Sequence, residues 1–145
     1  MCKILVLSAI AALGCGEDVD EAGARALWEK IQAEDYSDWQ RAPGYDEPQP
    51  TLRAHGQTAI VYLNEVMADA VAGPSIDSWP EGALLVKDSF DAGEAKLVAA
   101  MEKQSGGWYF AEWTPTGDVK YAGEPEVCVN CHLAGGDNVL AVALP

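Results

Sequence analysis

The sequence predicts an α+β fold: a mainly antiparallel β-sheet with an N-terminal amphipathic helix packed on it and a specialised C-terminal segment. Three observations carry this. Apolar residues at i, i+3, i+4 and i+7 occur in one stretch near the start, at Ala24, Leu27, Trp28 and Ile31, the spacing of one helix face. Segments 58–63, 83–90 and 108–114 are rich in β-branched, aromatic and large apolar residues and are bounded by glycine, proline, asparagine or aspartate, as strands are. No internal repeat is visible, so solenoids and propellers drop out. A chain of 145 residues is enough for one domain with one core.

The chain opens with Met1-Cys2-Lys3, an apolar run from Ile4 to Leu13, then Gly14-Cys15 and an abrupt switch to Glu17-Asp18. This reads as a secretion signal over residues 1–15. The run is too short for a bilayer, which needs about 20 apolar residues. Its Leu13-Gly14-Cys15 ending is similar to a lipobox, with Ala12 where leucine is usual, so Cys15 is expected to carry a lipid anchor on the periplasmic side of a bacterial membrane; the alternative is cleavage to a soluble periplasmic protein. Residues 16–22 read as a tether, and 23–145 as the domain.

A helix is expected from about Glu21 to Glu34, with acidic residues at its start and Lys30 toward its end. Ala42 to Pro50 holds three prolines and a glycine and reads as an irregular connection. Thr58 to Leu63 is a strand ended by Asn64, and Glu65 to Ala72 a short helix stopped by Gly73-Pro74. After the turn Trp79-Pro80-Glu81-Gly82, residues 83–90 form a second strand, apolar on both faces until Lys87. Ala95 to Lys103 is ambiguous by composition, and the Ser105-Gly106-Gly107 turn tips it toward a hairpin strand. Trp108 to Thr114 is the clearest strand, closed by Pro115 to Asp118, and Val139 to Leu144 reads as a last short one.

Between these lies Cys128-Val129-Asn130-Cys131-His132. Two thiols three positions apart followed directly by a histidine form the attachment signature of c-type haem: each thiol adds to one vinyl group, and His132 is carried under the ring as the proximal iron ligand. Zinc would need four ligands, and beyond the motif there are only His55 and two N-terminal cysteines. A redox dithiol would follow a strand in a βαβ unit, whereas this pair follows Gly123-Glu124-Pro125-Glu126. Covalent haem attachment takes place outside the cytoplasm, so leader and motif support each other. With Cys2 and Cys15 assigned to the leader, no pair remains for a structural disulfide.

The balance of 23 acidic to 9 basic residues gives a net charge of −14. It argues against nucleic acid or anionic lipid as partner and serves solubility or docking of a basic redox protein. Small helical cytochromes take a methionine ligand from far downstream of the motif, and no methionine follows His132. Four-helix-bundle cytochromes require long helices where this chain has strands.

Taken in order, the helix around Leu27-Trp28, Val61-Tyr62-Leu63-Asn64, Pro80 to Asp88, Gly107-Trp108-Tyr109-Phe110 and the late motif followed by Asp137 resemble the cytochrome P-460 and cytochrome c′-beta family of β-rich mono-haem proteins. The resemblance implies one covalently attached haem c, a pentacoordinate iron and a homodimer. It further implies binding or oxidation of a small nitrogen species such as hydroxylamine or nitric oxide, with electrons passing to a redox partner cytochrome. It also implies that Lys87 bonds to a meso carbon of the haem, against the ordinary fate of a lysine whose amine reaches water. A distal carboxylate is implied just before the motif, where Glu124 and Glu126 stand. His55 either caps the distal face or is a loop histidine bonded to backbone. Met67 and Met101 read as core packing. The competing expectation is a six-coordinate electron carrier in which His55 or a methionine completes the iron.

Overall fold

A computed structural model describes residues 19–145; the leader and Cys15 readings lie outside the described residues. The fold is α+β, the described residues forming three α-helices and one antiparallel sheet of seven strands. No helix among the described residues is long and apolar enough to cross a membrane.

Helix α1 spans Glu21–Ala33. Asp20 caps it by accepting from the Gly23 N–H at 2.9 Å, which satisfies one of the orphan donors of the first turn. A Cβ at Gly23 would run into the Asp20 carboxylate and the Tyr109 hydroxyl, so a side chain there would have to displace the capping group. Residues 20–22, inside the stretch read as a tether, form the cap and first turn of this helix. A single 3-10 turn, Tyr36–Asp38, follows.

Strands β1 (Gln40–Arg41) and β2 (Gln49–Arg53) share the outer edge of β3 (Gly56–Leu63). The connection read as wholly irregular thus ends in a strand that includes Gln49 and Pro50, tolerated because an edge strand can lack a donor on its open side. Asn64 ends β3 and caps α2 (Glu65–Ala72). Its Oδ1 accepts from the Met67 and Leu84 N–H groups, each at 3.0 Å, and its Nδ2 donates to the Gly82 carbonyl at 2.9 Å.

Strands β4 (Leu84–Asp91), β5 (Glu94–Gln104), β6 (Gly107–Trp113) and β7 (Val119–Gly123) then run as a meander beside β3. The ambiguous stretch 95–103 is strand, held by hairpins on both sides. Strand β7 has no counterpart in the sequence reading, because its glycine and lysine dilute a short alternation. Helix α3, Glu126–His132, carries the Cys-x-x-Cys-His motif. The strand expected over Val139 to Leu144 is absent; a single bridge joins Gly136 to Val139, and Val139 and Val142 turn into the core instead of onto a sheet edge.

Alternation along the strands sorts the side chains between two faces. Leu84, Val86, Ala100, Ala111 and Trp113 pack with Ala24, Leu27 and Ile31 of α1. Val61, Leu63, Leu85, Met101, Trp108 and Phe110 form the other face, covered at one end by Met67, Trp79, Val139 and Val142. Burial of this apolar surface on both faces is the main source of stability.

Candidate functional site

The second face is left partly uncovered and walls a cavity of about 550 Å³. Its floor is apolar, from Val61, Leu85, Ala99, Met101 and Phe110; Tyr45, Pro50, Thr51 and Leu52 rim it on one side; Cys128, Cys131 and His132 of α3 wall it on another. The size falls within the ordinary range of ligand and cofactor pockets.

Buried Pro125 starts α3, its carbonyl accepting from Cys128 N at 2.9 Å and Val129 N at 3.0 Å. Helical spacing then puts Cys128, Cys131 and His132 on neighbouring positions of one face. The two thiols are not disulfide-bonded.

The His132 ring stands edge-on to Phe110, with centroids 5.2 Å apart. Its Nδ1 lies 2.9 Å from the Asn138 carbonyl oxygen. A carbonyl can only accept, so Nδ1 carries the proton and Nε2 keeps its lone pair, the tautomer a metal ligand needs. Burial pushes the imidazole toward the neutral form and the nearby Lys87 and His55 act the same way, while the bond to Asn138 opposes them.

Lys87 projects from β4 into the cavity. Burial brings its ammonium down to about 8, against the upward pull of Glu112 and the two cysteines. In the sheet register Lys87 pairs with Ala99, and Ala99 with Glu112, so lysine and glutamate stand in one cross-strand row. His55 completes a polar group: its Nδ1 lies 3.3 Å from Glu112 Oε2, close but not aligned as a hydrogen bond. The His55 ring is also T-shaped to His132 at 6.3 Å between centroids.

The sequence-derived residues Lys87, His55, Cys128, Cys131 and His132 are thus brought together. Glu124 and Glu126 are exposed and do not line the cavity; Glu126 accepts from Asn130 Nδ2 at 3.4 Å. The carboxylate that does reach the cavity is Glu112, which sequence reasoning missed. Its signal was the alternation of β6, two positions beyond Phe110, once the cavity-facing set was known. Met67 is core, and Met101 is buried while contributing to the floor.

These residues fit a haem. The cavity is lined mainly by apolar side chains, the His132 tautomer leaves Nε2 with its lone pair, and two thiols that are not bridged to each other line the same cavity. Among the described residues no three or more His, Cys, Asp or Glu side chains cluster as a cage for a bare metal ion.

No curated protein matches the chain. A family model does: the one described as cytochrome P460 matches residues 33–139, most of the chain and all of the cavity-forming strands and the motif helix. On that match, the chain belongs to the cytochrome P460 family of haem-binding, iron-containing cytochromes.

Proposed function

We propose that this is an exported mono-haem protein that holds haem c through Cys128 and Cys131, with His132 as proximal ligand, and binds or oxidises a small nitrogen species at an open distal position. The observation that carries this reading is the group Lys87, Glu112 and His55 in a mainly apolar cavity lined also by His132. An electron carrier has no need of ionisable groups drawn partly out of water, whose desolvation is costly, whereas proton-coupled chemistry does.

The haem, when bound, supplies an iron that takes a nitrogen ligand and accepts electrons. Around it, the apolar floor excludes water and strengthens charge interactions. Removing two electrons from hydroxylamine releases two protons; Glu112 is the carboxylate placed to take the first, with His55 beside it as the next carrier. The electrons leave to a redox partner cytochrome. The Lys87 bond to a haem carbon belongs to the same proposal. Lys87 would thereby hold the group through its amine nitrogen, one N–H and one C–H hydrogen with two electrons passing to an oxidant of the peroxide class that would be reduced to water. A lipid anchor at Cys15 and a homodimer complete the reading.

The second reading, a six-coordinate electron carrier, draws on the closeness of the His55 and His132 rings. A ferric absorption spectrum with nitric oxide and hydroxylamine titrations decides between them. A high-spin spectrum that changes on titration is expected; a low-spin spectrum indifferent to both ligands, and released by His55→Ala, would establish the carrier.

A further inference from the structure

We propose that Asp137 is a positioning residue: its ion pair with Lys103, which does not line the cavity, locks the backbone that holds the His132 imidazole and so sets the basicity of the iron ligand. The inference rests on the reading of His132 as that ligand and deepens it.

Both carboxylate oxygens of Asp137 are engaged. Lys103 Nζ donates to Oδ1 at 2.8 Å and to Oδ2 at 2.9 Å, the Trp79 N–H donates to Oδ2 at 2.8 Å, and Trp108 Nε1 donates to Oδ1 at 3.4 Å. Trp79 Nε1 adds a bond to the Gly136 carbonyl at 3.2 Å. Three separate parts of the fold therefore converge on two residues of one loop: the end of β5, the start of β6 and the segment before β4. The ion pair is well shielded, with side-chain exposures of 18% for Lys103 and 16% for Asp137. Burial alone would raise the carboxyl, but Lys103 and the Trp79 N–H outweigh it and hold the group ionised.

The backbone explains why such a clamp is needed. Asp137 and Asn138 are consecutive non-glycine residues in the left-handed region, at φ 45° and 64°. Each is disfavoured, and a pair persists only where the surroundings over-determine it. Their conformation turns the Asn138 carbonyl back to His132 Nδ1 at 2.9 Å. The same return brings Val139 so close to Gly135 that any Cβ at 135 would strike its carbonyl. Released from Lys103, the pair relaxes and the carbonyl swings off the imidazole. A weaker N–H···O bond makes the imidazole a poorer donor to iron, which destabilises the ferric state.

The test uses the secreted holoprotein with Asp137→Asn, Lys103→Met and Lys103→Arg, and with Lys120→Met as an exposed control. Haem stain after denaturing electrophoresis comes first, then the ferrous iron–histidine stretching frequency by resonance Raman and the reduction potential. Asp137→Asn and Lys103→Met are expected to lower the frequency and raise the potential, while Lys103→Arg and Lys120→Met stay at the wild-type values. If Asp137→Asn does not fold, Lys103→Met against Lys103→Arg decides. Variants that carry haem and fold normally, yet leave frequency and potential unchanged, overturn the inference. A wild-type protein without covalent haem overturns the ligand reading instead.

Discussion

His55 and Glu112, which are 57 positions apart in the sequence, meet at the cavity wall with Nδ1 and Oε2 3.3 Å apart. One lies in the β2–β3 connection and the other on β6, so the contact exists only in the folded sheet. If Glu112 is the proton acceptor, Glu112→Gln keeps the shape and removes the base. Hydroxylamine turnover should fall by about 10²-fold or more, while nitric oxide affinity changes little. Steady-state kinetics beside a nitric oxide titration checks this, and undiminished turnover would exclude the role. Glu124→Gln and Glu126→Gln, both at the surface, should leave turnover at wild-type levels.

Lys87 gives a pH dependence with a definite sign. Its folded-state value, about 8, is below the ordinary lysine value, so the folded chain binds this proton less tightly than the unfolded one. Burying the ammonium therefore penalises folding fully below about pH 8. The penalty fades as pH rises toward the unfolded value and is gone above it. Lys87→Met should stabilise haem-free protein at pH 7 by up to about 3 kcal/mol, with the gain vanishing near pH 11. Urea unfolding at the two pH values measures it, and a gain equal at both would contradict the burial argument.

Haem attachment can be dissected by acid acetone extraction. Replacing either Cys128 or Cys131 with alanine should leave haem bound through the other thiol and shift the pyridine haemochrome band toward that of a free vinyl group. The double variant tests Lys87 directly: haem retained there, and released when Lys87→Met is added, identifies the nitrogen–carbon bond. Complete release from the double variant counts against that bond.

Asn64 joins three elements with one amide. Asn64→Ala removes the α2 cap and leaves the Leu84 N–H and the Gly82 carbonyl without their partner, and should cost about 2 kcal/mol. Thermal unfolding reads the loss. The haem spectrum should not move, since Asn64 does not line the cavity.

Much of this was legible in the sequence where local rules dominate. Glu65 to Ala72 was bounded correctly because Asn64 and Gly73 punctuate it, and the motif residues are contiguous, so their spacing alone announces them. Lys87 stood out as a charge in an apolar strand. Other features depend on partners far along the chain. Pro50 sits in β2 only because that strand is an edge, and β7 is a strand only because β6 offers it a ladder. Val139 to Leu144 has strand composition, but Val139 and Val142 are drawn into the core instead of pairing along a sheet edge. Glu112 was hidden because alternation assigns residues to faces without saying which face borders the cavity.

The two-sided use of β6 carries a consequence for how this chain can change. Phe110 and Glu112 serve the pocket, while Ala111 and Trp113 anchor α1. Chemistry and folding are thus written on interleaved letters of the same word. Point substitutions can rewrite one set and spare the other, but a single-residue insertion inside Gly107–Trp113 would transpose them. Divergence within this strand should accordingly proceed by replacement, with length variation confined to the turns that flank it.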